Sequence, residues 1–256
     1  MKRHLLLWLM ICCYPISGAA ESYSIKDLRA LADQGAWSEL AVHLEDIRPA
    51  DRGPEWNKVL EQTATGLLDQ DGSADDAYSA LSASENLLAR FPKLKTNKAF
   101  MVKRADAGLK AFAVCFQNSY GADQCLQDLT KFVKSDAGNL DLAFKSGKLA
   151  RLNLKHWAAA PFFAGALTEP NKDRRCDDED VALAVMSGLA LPKSGYEPQF
   201  GASVKLAQLC WKELKAPLAE QIASNGEYFR ENTCGVFKAN NALEGEIANV
   251  CRKYQK

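Results

Sequence analysis

From residue 21 onward the chain repeats one pattern: apolar residues three and four apart, then a short break rich in Gly, Pro, Asn or Asp. Residues at that spacing share one face of an α-helix, so each run predicts an amphipathic helix. No convincing period-two alternation, the mark of a half-buried strand, occurs anywhere. An all-α chain of short helices joined by short turns is therefore expected. In the C-terminal third, from Cys176 through Cys210 and Cys234 to Cys251, a cysteine sits near the end of each helical segment. That placement predicts antiparallel helix pairs, each tied by a disulfide.

Taken in order, Ser24 reads as an N-cap with Asp27 three residues on, and Gly35 closes the first helix. Trp37, Leu40, Ala41, Leu44 and Ile47 form the next apolar stripe, stopped by Pro49. Pro54 suits a first helical turn, where its missing N–H is harmless, and Trp56 to Leu67 continue from it. Gln70-Asp71-Gly72-Ser73 and Asn118-Ser119-Tyr120-Gly121 read as turns. Between them, one helix carries Ala77, Leu81, Leu88 and Phe91, and the next runs from Asn97 to Phe116 through Val102, Leu109 and Phe112. Cys125, Leu126, Leu129 and Phe132 mark a sixth helix. Ser135-Asp136-Ala137-Gly138 is the clearest linker, either a subdomain break near 135–139 within a domain spanning 21–256 or a simple join between two repeats. Beyond it, Trp157 to Leu167 is the longest uncharged apolar stretch and predicts a buried helix with Pro161 in its first turn; left exposed, it would form a binding groove. One later helix is expected to carry Phe200 to Leu214, and a short one to follow Pro217.

Residues 1–20 have the three-part pattern of a secretory signal peptide. Lys2, Arg3 and His4 form a basic head, Leu5 to Cys13 an apolar run, and Ser17-Gly18-Ala19-Ala20 a small-residue cleavage site. The apolar run is too short to span a bilayer, and no later stretch is a candidate span. Cleavage after Ala20 removes two of thirty-two basic residues and none of thirty-two acidic ones, leaving a net charge of −2. So small a charge gives no general attraction to nucleic acid or an anionic membrane. The expected location is extracytoplasmic, either a bacterial periplasm or the exterior. The absence of an Asn-x-Ser/Thr sequon leans towards the former.

Six cysteines remain after cleavage: Cys115, Cys125, Cys176, Cys210, Cys234 and Cys251. An even number in an exported chain favours disulfides, and antiparallel hairpin geometry selects among the fifteen connectivities. Cys115 closes one helix and Cys125 opens the next, so they meet at the turn. Cys176 starts a helix and Cys210 lies late in its successor; Cys234 and Cys251 repeat that outer-end arrangement. The expected pairs are Cys115–Cys125, Cys176–Cys210 and Cys234–Cys251. No Cys-x-x-Cys exists among them to suggest zinc or a redox dithiol.

The segment Glu179–Cys251 resembles HEAT or armadillo-type repeats. The likeness is clearest at Val204 to Ile222, where Leu206-Ala207-Gln208-Leu209-Cys210-Trp211-Lys212-Glu213-Leu214 is followed by Lys215-Ala216-Pro217-Leu218. The resemblance implies a right-handed stack of helix pairs that bind partners along one face, and it carries no catalytic residues. The fold expected is therefore stacked antiparallel helical hairpins, an α-α superhelix with three local disulfides.

Chemistry is sparsely marked. His43 and His156 lie far apart in sequence, and no metalloprotease, nucleophile-elbow or phosphate-loop motif occurs. Asp69 to Asp75 suggests a calcium loop, but Ala74 and Ala80 replace the required Gly and Glu. The acidic run Asp177-Asp178-Glu179-Asp180 suits a helix N-terminus. No catalytic residue, cofactor or metal is assigned. The expected function is a non-enzymatic module that binds or scaffolds another protein or a peptide. A structural envelope component is the first alternative, and an enzyme using carboxylates such as Asp177 and Asp180 in a helical cleft is the second. A wide groove of aromatic and mixed polar residues would favour binding; two carboxylates facing each other across a cleft would favour the enzyme.

Overall fold

A computed structural model describes residues 22–69, 74–117, 121–153, 156–168 and 175–254. The expected signal peptide lies outside the described residues, as do Gln70 to Ser73 and Asn118 to Tyr120 of the expected turns. Thirteen α-helices and no strand occur among the described residues. In chain order they are α1 (Ile25–Asp33), α2 (Trp37–His43), α3 (Pro54–Asp69), α4 (Ala74–Arg90), α5 (Lys98–Gln117), α6 (Ala122–Ser135), α7 (Leu140–Asn153), α8 (Ala160–Ala166), α9 (Glu179–Leu189), α10 (Glu197–Leu209), α11 (Trp211–Gln221), α12 (Glu227–Ala239) and α13 (Gly245–Cys251). None is long and apolar enough to cross a membrane.

Two compact units meet at Leu67 and Leu68, within α3. The first holds α1, α2 and most of α3. Ser24 and Asp27 form the reciprocal capping box at the start of α1. At its end Gly35 takes a φ of 69°, so that Gly35 N–H reaches Ala32 O and Ala36 N–H reaches Leu31 O. Those two bonds close the helix as a Schellman motif, which needs a residue without Cβ strain. Leu28, Leu40, Leu44 and Leu60 are fully buried in this unit, and Trp56 donates its indole N–H to Leu44 O at 3.1 Å.

The second unit contains α4 to α13, with a smaller separate cluster of Ile222, Cys234 and Cys251 beside its main apolar core. Near its middle lies the Trp157–Leu167 stretch, split into a 3-10 turn (His156–Ala159) and α8. Phe162, Phe163, Ala166 and Leu167 are buried there, as the sequence led us to expect, and Pro161 occupies the first turn of α8. α8 packs against α7, α9 and α10. Gly147 lets α7 approach the Phe163 ring: a Cβ at that position would fall 2.6 Å from it. Polar side chains from neighbouring helices are used to finish helices. Asn232 of α12 donates to Leu189 O and Leu191 O, and Lys205 donates to Ala164 O, so carbonyls left over at the ends of α9 and α8 find partners.

The 135–139 segment forms the turn between α6 and α7, which pack on each other, and Asn139 caps α7 through Leu142 N–H. Several expectations need correcting. Val102 faces solvent, and the buried face of α5 runs instead through Phe100, Arg104, Gly108 and Phe112. Helix breakage in the region 200–222 occurs at Cys210, where the backbone leaves helical geometry, and not at Pro217. Pro217 lies inside α11, where it forgoes one hydrogen bond without ending the helix. Cys234 is at the middle of α12, because the seven-residue α13 rises only about 10 Å and reaches no further back along its partner.

Three cysteine pairs lie at disulfide distance, with Cα–Cα separations of 6.0 Å for Cys115–Cys125, 5.2 Å for Cys176–Cys210 and 5.5 Å for Cys234–Cys251. All three are local, closing sequence separations of 10, 34 and 17 residues. Loop-closure entropy then gives each about 3–4 kcal/mol of stabilisation, with little difference between them because the dependence is logarithmic. Reduction should lower the denaturant midpoint substantially while leaving most far-ultraviolet helical signal below the transition. Collapse of that signal on reduction alone, under native conditions, would show that the helices depend on the bridges.

Candidate functional site

α5 presents Arg104, Gly108 and Phe112 one turn apart on a single face. The Phe132 side chain of α6 docks onto that stripe. Arg104 lies over its ring with the guanidinium 4.4 Å from the centroid, and Phe112 tilts against it at 5.6 Å. Gly108 supplies the space between: a Cβ there would lie 2.3 Å from Phe132 Cζ. The hairpin register is consistent along its length. Cys115 pairs with Cys125 near the turn, Gly108 faces Phe132 midway, and Arg104 meets Ser135 at the open end.

Arg104 is completely buried and binds both neighbouring helices. Its Nε and Nη2 grip the two carboxylate oxygens of Glu85 on α4, the latter at 3.0 Å. Nη2 also donates to Ser135 Oγ at 2.7 Å, and that hydroxyl in turn donates to Phe132 O. A planar five-donor guanidinium suits this double task, which a lysine could not perform.

Above this network α4 and α6 flank α5 and leave a cleft of about 390 Å³. Leu81, Phe112 and Phe132 give it an apolar floor, while Tyr78, Ser82, Glu85, Asp128, Lys131 and Ser135 form the walls. Tyr78 is 55% exposed. Two carboxylates, Glu85 and Asp128, thus stand on the two helices that flank the cleft, and both are engaged by neighbouring donors. Each Glu85 oxygen accepts from Arg104; Asp128 Oδ1 accepts from Lys131 and Oδ2 from Gln124, both at 3.0 Å. The Gln124 and Lys131 bonds hold the Asp128 carboxyl below its ordinary pKa. Its stabilising contribution is therefore present at neutral pH and lost as pH falls through that lowered value. A general acid needs the opposite shift.

The other sequence candidates lie outside this cleft. Asp178 caps α9 by accepting from Asp180 N–H, and both carboxylates pair with α7, Asp178 with Lys148 at 2.7 Å and Asp180 with Arg151 at 2.5 Å. Asp177 is exposed. His43 belongs to the first unit, stacked on Tyr23 and bonded to Asp46, whereas His156 opens the 3-10 turn of the second. Among the described residues no cluster of three His, Cys, Asp or Glu side chains is placed to hold a metal ion. The cleft itself went unrecognised in the sequence. Its signal was the cysteine pair: counting back seven residues on α5 and forward seven on α6 sets Gly108 opposite Phe132.

Two substitutions separate the roles of the ion pair. Glu85→Gln leaves a fully buried cation without its counter-ion and should cost roughly 2–3 kcal/mol, below the value for a wholly buried pair because the Glu85 side chain is 38% exposed. Arg104→Met keeps the contact with Phe132 and frees Glu85 to water, so it should cost about 1 kcal/mol. Gly108→Ala should cost about 1–3 kcal/mol by displacing Phe132. Urea midpoints measure all three, and an Arg104 variant less stable than the Glu85 variant would contradict this account.

Comparison with protein-family models, curated proteins and solved structures finds no match to this chain.

Proposed function

We propose that the chain is an extracytoplasmic, non-enzymatic module, built of stacked antiparallel helical hairpins, that holds a segment of a partner protein in the α4–α5–α6 cleft. Support for the stacking comes from consecutive helices that pack in pairs: α4 with α5, α5 with α6, α7 with α8, α9 with α10 and α12 with α13. Disulfides are common in exported proteins and rare in the cytosol, which favours the proposed location. The observation that carries the binding reading is the composition of the cleft. Aromatic and aliphatic side chains form its floor, and the charges on its walls are already paired. Such a surface gains free energy by covering apolar area and offers no poised acid, base or nucleophile. A purely structural component would need no such cleft.

The test is a peptide-display selection against the mature protein, repeated against Ser82→Arg. Ser82 is exposed on the cleft wall, so the substitution fills the opening without disturbing the core, and circular dichroism verifies the fold. Sequences enriched on the wild type should lose about tenfold or more in affinity for the variant. Absence of enrichment, or equal binding to both proteins, overturns the proposal.

A further inference from the structure

We infer that the occupant of the cleft is an amphipathic α-helix of a partner protein, entering with an uncharged face. This rests on the binding role proposed above and adds the shape and charge of the partner. Floor and wall together, α4 lines the cleft with Tyr78, Leu81, Ser82 and Glu85, and α6 with Asp128, Lys131, Phe132 and Ser135. Both sets follow the same spacing of three, one and three residues, so each wall is one face of a helix two turns long. Seven residues of helix rise about 10 Å, which sets the length of the trough. α4 and α6 each pack on α5, with Phe112 showing between them. The trough is the place where one more helix would complete a layer, and a docked helix would present its own side chains at the same spacing. That is the helix-in-groove mode of recognition, with apolar anchors at i and i+4.

Charge narrows the partner further. Glu85 is neutralised by Arg104 from below, and Asp128 by Lys131 on its own helix. Among the described residues that line the walls, no charge waits for a counter-ion, so a charged side chain carried into the cleft would be desolvated without compensation. The contacting face of the partner helix is therefore apolar or neutral, and binding draws little from long-range electrostatics. An extended peptide or a small apolar molecule would also cover the floor.

Fluorescence anisotropy of labelled alanine-based peptides of about 15 residues decides among these occupants. One peptide is locked helical by a side-chain bridge and carries two leucines four residues apart. An isomer of the same composition places them two residues apart, and a third peptide replaces both by alanine. The mature protein should bind the first at least tenfold more tightly than either of the others. Ser82→Arg should abolish the preference, and the Kd should change less than about threefold between roughly 0.05 and 0.5 M salt. Equal binding of the two leucine isomers, or tighter binding of the second, overturns the helical inference, and a steep salt dependence overturns the neutral face. If no peptide binds, the helical inference fails too. The display selection then decides separately whether the cleft binds any peptide at all.

Discussion

One ring position governs the shape of the α4–α5–α6 cleft. Phe132 is seated on α5 between a guanidinium, a bare glycine backbone and a second phenylalanine. Each contact requires the register that the others require. If α6 slid by one turn, Phe132 would meet Arg104 or Phe112 where it now meets Gly108, and neither side chain leaves room for a ring. Interiors packed to crystal-like density do not absorb such a shift gradually. The α5–α6 hairpin is therefore fixed to one alignment, and the cleft inherits its floor from that alignment.

A buried arginine is a costly way to join three helices if stability alone is at issue, because desolvation offsets most of the attraction. Its value here is directional. Apolar contacts are indifferent to small rotations, whereas a fork that must satisfy Glu85 on α4 and Ser135 on α6 tolerates few. Glu85 is held at the cleft wall by a bond whose donor lies beneath the floor. The same bond removes its charge from the opening. Position and neutrality of the wall thus come from one side chain that no ligand would touch.

Much of the secondary structure was legible because it depends on local signals: the Ser24–Asp27 capping box, the Gly35 terminator, and proline at the start of α3 and α8. Local cysteine spacing likewise placed Cys115 by Cys125 across a turn. What escaped the reading depends on tertiary partners. Arg104 looks like a solvated surface residue until Glu85, nineteen positions earlier, and Ser135, thirty-one later, are brought to it. Gly108 reads as a weak point in a helix until Phe132 needs the space. Val102, apolar and on helical spacing, was assigned to the wrong face because α5 has apolar residues nearly all round, which leaves periodicity little to discriminate. Pro217 failed as a breaker because packing on both sides of it outweighs one missing hydrogen bond.

The two ends of the α5–α6 hairpin are held by different kinds of bond, and the difference bears on how the cleft keeps its shape. At the turn, the Cys115–Cys125 bridge limits how far the helices can separate even when noncovalent contacts fluctuate. At the open end, Arg104 and Ser135 hold the helices only while the guanidinium stays buried. Local opening of a hairpin tied at one end starts at the other, so the network rather than the disulfide sets how often the cleft loses its shape. Binding to a preformed trough avoids the ordering free energy that a floppy one would demand at the moment of association. A buried arginine bonded through Nε and Nη2 beneath the floor is thus better understood as holding the cleft in one geometry than as adding to the stability of the fold.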